Sequence, residues 1–147
     1  TWSLGLFGTF DSPNNFRPNV ALTYNEVEGM EWFYEVRVSE NIIIPLSQIG
    51  RFHALFDDGG SDNRILTPDH FGYDSSRRSF ADMNLESGQQ RYVALLTRDE
   101  LLYQEVPGYM EVGRYTAGDY ARFRNDRSVD IKIYDNLNIE LYSISKV

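Results

Sequence analysis

Apolar and polar positions alternate with a period of two along much of this chain. In residues 31–38, EWFYEVRV, Trp32, Tyr34, Val36 and Val38 fall on one side, and Glu31, Phe33, Glu35 and Arg37 on the other. That is the spacing of a half-buried strand. Residues 128–134 repeat it, with Val129, Ile131 and Ile133 on the inward side. Residues 91–104, RYVALLTRDELLYQ, differ in being apolar on both sides: Tyr92, Ala94 and Leu96 oppose Val93, Leu95 and Thr97. Such a run suits a strand covered on both faces. Arg98 and Asp99 then read as a tight turn, and Leu101, Leu102 and Tyr103 as a returning strand, which makes this stretch a central hairpin. A short buried helix is the rival reading of the same run.

Further short strands are expected at residues 2–7, 20–24, 42–44, 51–56, 109–115 and 138–144. Loops are expected at 11–18 (DSPNNFRP), 57–63 (DDGGSDN), 75–79 (SSRRS) and 116–120, with a turn at Asp135-Asn136. No long stretch shows helical periodicity. Many short strands at such intervals predict an all-β fold, an antiparallel two-sheet sandwich or barrel, with Trp32, Val36, Leu95, Ile131 and Ile133 in its core. A length of 147 residues suits one domain spanning residues 1–147.

Charge and composition narrow the function classes. A formal net charge of -8 argues against nucleic acid and against acidic membrane surfaces as partners. The absence of cysteine excludes thiol catalysis and cysteine metal sites. No apolar run approaches the roughly 20 residues of a membrane span. The opening TWSLGLFGTF lacks a basic segment, so neither a signal peptide nor membrane insertion is expected. His53 and His70 are isolated, and DDGGSDN lacks the spaced oxygen ligands of a calcium loop, so no metal and no cofactor are expected. Glu26 with Glu28, or Asp57 with Asp58, could form a glycosidase pair but read as solvated surface. No nucleophile stands beside a base, so the chain does not read as an enzyme.

Four segments carry a more specific signal: EWFYEVRVSENI (residues 31–42), HALFDDG (53–59), RYVALLTRDELLYQEVPG (91–108) and YTAGDYARF (115–123). In their order and spacing they resemble the head domain of the rotavirus outer-capsid spike, the glycan-binding fragment that trypsin separates from the stalk. The divergence suggests a lineage outside group A, with group C as the candidate. The resemblance implies a galectin-like sandwich, attachment to host cell-surface glycans, a place on the virion surface, and the remainder of the spike as a partner.

The resemblance also implies a site. Sialic-acid-binding members place an arginine before the strand tryptophan, where this chain has Glu31; a carboxylate there would repel sialic acid. Their loop of adjacent tyrosines followed by serine corresponds here to Arg114, Tyr115 and Thr116, and Tyr120 matches a further loop tyrosine. The expectation is therefore a neutral, blood-group type saccharide, bound by Tyr115, Thr116 and Tyr120 within residues 113–124. A saccharide site needs rings and hydrogen-bonding groups together, and that segment holds both. The competing reading is that Tyr115 and Tyr120 cap the core. A carbohydrate-binding module of a bacterial glycoside hydrolase is the alternative to a viral lectin, and a sandwich enzyme comes third.

Overall fold

In a computed structural model of the chain, residues 22–36, 42–45, 55, 68–105 and 114–146 are described. Helix α1 (Tyr24–Val36) is followed by strand β1 (Ile42–Pro45), a 3-10 turn (Asp69–Gly72) and the short helix α2 (Phe80–Asn84). Strand β2 (Gln90–Leu96) runs directly into helix α3 (Thr97–Glu105), and helix α4 (Ala117–Arg124) precedes the hairpin of β3 (Val129–Asp135) and β4 (Ile139–Ser145). The strands form one four-stranded sheet in the order β1-β2-β4-β3. β1 is parallel to β2, and the other two pairings are antiparallel.

Among the described residues the architecture is thus mixed α/β with one open sheet. It overturns the expectation of an all-β, galectin-like two-sheet sandwich, and helices rather than a second sheet cover the faces. The largest correction is residues 31–36, read as a strand and found in α1. Its buried residues are Glu26, Gly29, Met30 and Phe33, the i, i+3, i+4, i+7 stripe of a helix. Thr23 opens the helix with a reciprocal cap. Its Oγ1 accepts from the Glu26 amide at 3.2 Å, and its own amide donates to Glu26 Oε1 at 2.8 Å. The central hairpin also fails. Residues 91–96 form the expected doubly covered strand, but Arg98 and Asp99 open α3 and are themselves buried.

The two sides of β2 serve two separate cores. Val93 and Leu95 pack with Tyr142 and Ile144 beneath Phe71, Phe80, Tyr115, Tyr120 and Phe123. Tyr92, Ala94 and Leu96 pack with Ile139 and Leu141 beneath Met30 and Phe33 of α1. Leu95 is buried as expected, at 2 % exposure, whereas Val36 and Ile131 lie in solvent at 51 % and 59 %. Trp32 and Ile133 are only partly buried. The exposure of Ile131 follows from register shifts between Val129 and Ile131 and between Lys132 and Tyr134. These irregularities break the alternation. Val129 packs against one core, Ile133 against the other, and Ile131 against neither.

Candidate functional site

The positions singled out by the resemblance do not form one site. Glu31 is exposed on α1, which covers the Met30 and Phe33 side of the sheet. Tyr115 and Tyr120 lie under the opposite side, at 1 % and 0 % exposure, in the aromatic core. The Phe71 ring lies 4.9 Å from that of Tyr115 and 5.3 Å from that of Tyr120, centroid to centroid. Burial pushes the hydroxyl pKa values of both tyrosines upward. Neither ring is available to a saccharide. Thr116 spends its hydroxyl on the cap of α4, accepting from the Asp119 amide at 3.2 Å while Asp119 Oδ2 accepts from the Thr116 amide. Arg114 donates from Nε to Asp69 at 2.9 Å. The segment expected as an exposed binding loop is thus the start of a packed helix.

The other candidates fare similarly. Glu26, read as solvated, is buried and paired with Arg98 at 2.5 Å. His70 Nδ1 lies 2.7 Å from Asp119 Oδ2. Among the described residues no group of three acidic, histidine or cysteine side chains could hold a metal ion, and no helix is long and apolar enough to cross a membrane. His53, Asp57, Asp58 and Asp62 lie outside the described residues.

A different set of residues does converge. The backbone at His70, Phe71 and Gly72 is left-handed, with φ of 55°, 54° and 76°. The turn presses Phe71 into the aromatic core and sends Tyr73 toward α4. Asn84 holds it, donating from Nδ2 to the Phe71 carbonyl at 2.9 Å. A Cβ at position 72 would stand 2.8 Å from Asn84 Oδ1, so both the φ and the space call for glycine. Past Tyr73, Asp74 gathers the loop, accepting from the Ser76 amide at 2.8 Å, the Ser76 hydroxyl, and Arg78 at 2.6 Å. The Ser76 hydroxyl, followed by Arg78, holds its carboxyl well below the usual range.

Arg122 of α4 organises the same loop from the other side. Its guanidinium donates to the carbonyls of Asp74 at 2.9 Å and Ser76 at 2.7 Å, and sits 4.1 Å from the centroid of the Tyr73 ring. Asp126, just beyond α4, accepts from the Tyr73 hydroxyl at 2.6 Å, the Phe80 amide at 2.7 Å and both donors of Ser128. Burial works to raise its pKa, but these donors outweigh it and hold the carboxyl below the ordinary value.

Between these two anchored segments lies an open cleft of about 510 Å³. Arg77, Arg78 and Ser79 line it from the loop, and Arg122, Asn125, Asp126 and Arg127 from the end of α4 and the turn beyond. A second depression of about 290 Å³ shares Ser79 and Arg127 and extends to Ser128 and Lys146. In a chain of net charge -8, the described lining of one cleft therefore carries four guanidiniums and one carboxylate. The sequence holds a sign of this: arginine recurs at 77, 78, 122, 124 and 127, the first two in the expected loop at 75–79 and Arg122 and Arg124 at the end of the segment 113–124.

No family model, no curated protein and no solved structure matches this chain.

Proposed function

We propose that the chain is a glycan-binding attachment domain of a viral spike, as its four rotavirus-like segments imply, and that it holds its saccharide in the arginine-lined cleft. The cleft is the observation that carries this reading. It offers guanidinium donors and the Asn125 side-chain amide on a scaffold anchored at Tyr73 and Asp126. Sugar hydroxyl edges are recognised by polar groups fixed in this way. The preference for neutral saccharides is not carried forward, because it required Glu31 and Tyr115 to share a site and the sheet separates them.

The reading is tested on an array of animal-cell glycans beside plant and microbial polysaccharides. Binding to animal-cell glycans is expected, with Asn125→Ala weakening it by about 1–2 kcal/mol, the scale of a contact that matters. Exclusive binding to plant or microbial polysaccharide would favour a carbohydrate-binding module instead. Glycan binding untouched by changes at Asn125 and Arg122 would place the saccharide elsewhere.

A further inference from the structure

We infer that the arginine-lined cleft selects a saccharide bearing a sulfate ester, the anion seated between Arg77 and Arg127. The inference rests on the glycan-binding reading of the same cleft. Three observations lead to it. First, the four cleft arginines are unequally occupied. Arg122 is committed to backbone carbonyls and to the Tyr73 ring. Arg78 is held by Asp74 at 2.6 Å. Arg127 is 79 % exposed and only 3.4 Å from Asp82, and Arg77 has no hydrogen-bond or ion-pair partner among the described residues. Two guanidiniums at the rim therefore keep donors to offer.

Second, the acidic residues nearby are already satisfied. Asp126 accepts from Tyr73, Phe80 and Ser128, and Asp82 caps α2 through Ser79. Their oxygens are occupied by those donors, and the four lining guanidiniums outweigh the one described lining carboxylate, Asp126. A depression with an excess of one sign of charge concentrates a counter-ion even when the whole molecule has the opposite charge. Third, no aromatic ring lines the cleft among the described residues, and Arg122 covers the ring of Tyr73. Neutral sugars draw much of their affinity from rings against their apolar faces. This cleft lacks that means and has charge-assisted donors in its place.

The geometry favours a sulfate ester over a carboxylate. A carboxylate presents two coplanar oxygens, which one guanidinium fork can satisfy. A sulfate ester presents three terminal oxygens spread around an axis. Arg77 on the loop and Arg127 beyond α4 line the cleft from different segments, so they can approach different oxygens.

The experiment is a titration of the intact chain, followed by NMR at the arginine side chains, with lactose, lactose sulfated on its galactose, and lactose carrying a carboxylate sugar. Sulfated lactose is expected to bind about tenfold tighter than lactose at about 50 mM NaCl, with the ratio shrinking at about 200 mM as screening grows. An Arg77→Ala/Arg127→Ala double variant should lose that difference with its melting midpoint unchanged, since both side chains are exposed. Equal binding of lactose and its sulfate at the cleft would overturn the inference and leave glycan binding standing. A preference that survives the double variant, or an equal response to the carboxylated sugar, would also overturn it. Failure of all three sugars to bind would remove the glycan reading itself.

Discussion

The two faces of the sheet are covered in opposite ways. On one, helix α1 closes at short range over Tyr92, Ala94, Leu96, Ile139 and Leu141: Gly29 comes so near that a Cβ there would stand 2.5 Å from Ile139 Cγ2. On the other, aromatic residues from the 3-10 turn, α2, α3 and α4 meet at tilted, stacked and edge-on angles, with Phe71 in contact with Tyr73, Tyr115, Tyr120 and Phe123. Aromatic rings pack offset or edge to face, and those with hydroxyls bring a polar handle to the edge of a core. Tyr73 shows the consequence. Its ring belongs to the core and its hydroxyl anchors Asp126 beside the cleft. The face under α1 also holds rings, with Trp32 stacked on Tyr134 and Phe33 edge-on to Tyr92, around a helix that approaches the sheet at a glycine. The aromatic face supplies both a core and a polar rim, and the candidate site lies on that rim.

The two faces are joined by a buried ion pair. Glu26 in the first turn of α1 meets Arg98 at the start of α3, both side chains nearly inaccessible. α3 in turn contributes Tyr103 to the aromatic core. Removing one partner of such a pair strands a buried charge, which usually costs about 3–5 kcal/mol. Arg98→Met should therefore give the largest loss of the changes considered, read by chemical denaturation. A Glu26→Leu/Arg98→Met double variant should recover much of it, because a well-packed apolar pair avoids the desolvation of both ions. An Arg98→Met chain within about 1 kcal/mol of the parent would show that this pair does not hold the faces together.

This pair also shows what the sequence revealed and what it hid. The strand at 90–96 was legible because apolar residues on both sides of a period-two run leave few alternatives. The hairpin at 129–145 was legible from alternation around Asp135-Asn136. The helices were missed because the same period was applied to them. EWFYEVRV alternates, but the buried stripe of α1 runs through Glu26 and Gly29, a charge and a glycine that no hydrophobicity pattern counts as core. The better signal was at the helix starts. Thr23-x-x-Glu26, Ser79-x-x-Asp82 and Thr116-x-x-Asp119 all form reciprocal caps, and Thr97-x-x-Glu100 has the same spacing at the start of α3. The site was hidden for a different reason. Arg77 and Arg127 are distant in sequence, and only the folding of the 74–79 loop onto α4 brings them to one cleft.

The tightness of the face under α1 yields a smaller effect. Gly29→Ala favours the helix by propensity, by about 1 kcal/mol. The new methyl would also approach Tyr134 Cε1 at 3.0 Å, as well as Ile139. Overpacking of this kind costs about 1–3 kcal/mol, so the balance should fall on destabilisation. Thermal melting of Gly29→Ala checks it, and an increase in midpoint would mean that α1 lifts from the sheet at little cost.

The smallest effect should come from the aromatic face, at Tyr120. Its ring is fully buried between Phe71 and Tyr115, so truncation to alanine would remove a large part of that core. Its hydroxyl is another matter. It is buried, and among the described residues it has no hydrogen-bond partner. A polar group in that position has lost its water without replacement, which carries a penalty of about 1–3 kcal/mol. Tyr120→Phe removes the oxygen and keeps the ring with its edge-on contacts to Phe71 and Tyr115. The expected outcome is stability equal to the parent or higher by up to about 1 kcal/mol, measured by denaturant titration. Binding at the cleft should be unaltered, because Tyr120 does not line it. If Tyr120 instead met a saccharide through its hydroxyl, Tyr120→Phe would weaken glycan binding and leave stability alone. That pattern would restore the segment at 114–120 as the site and displace the arginine cleft.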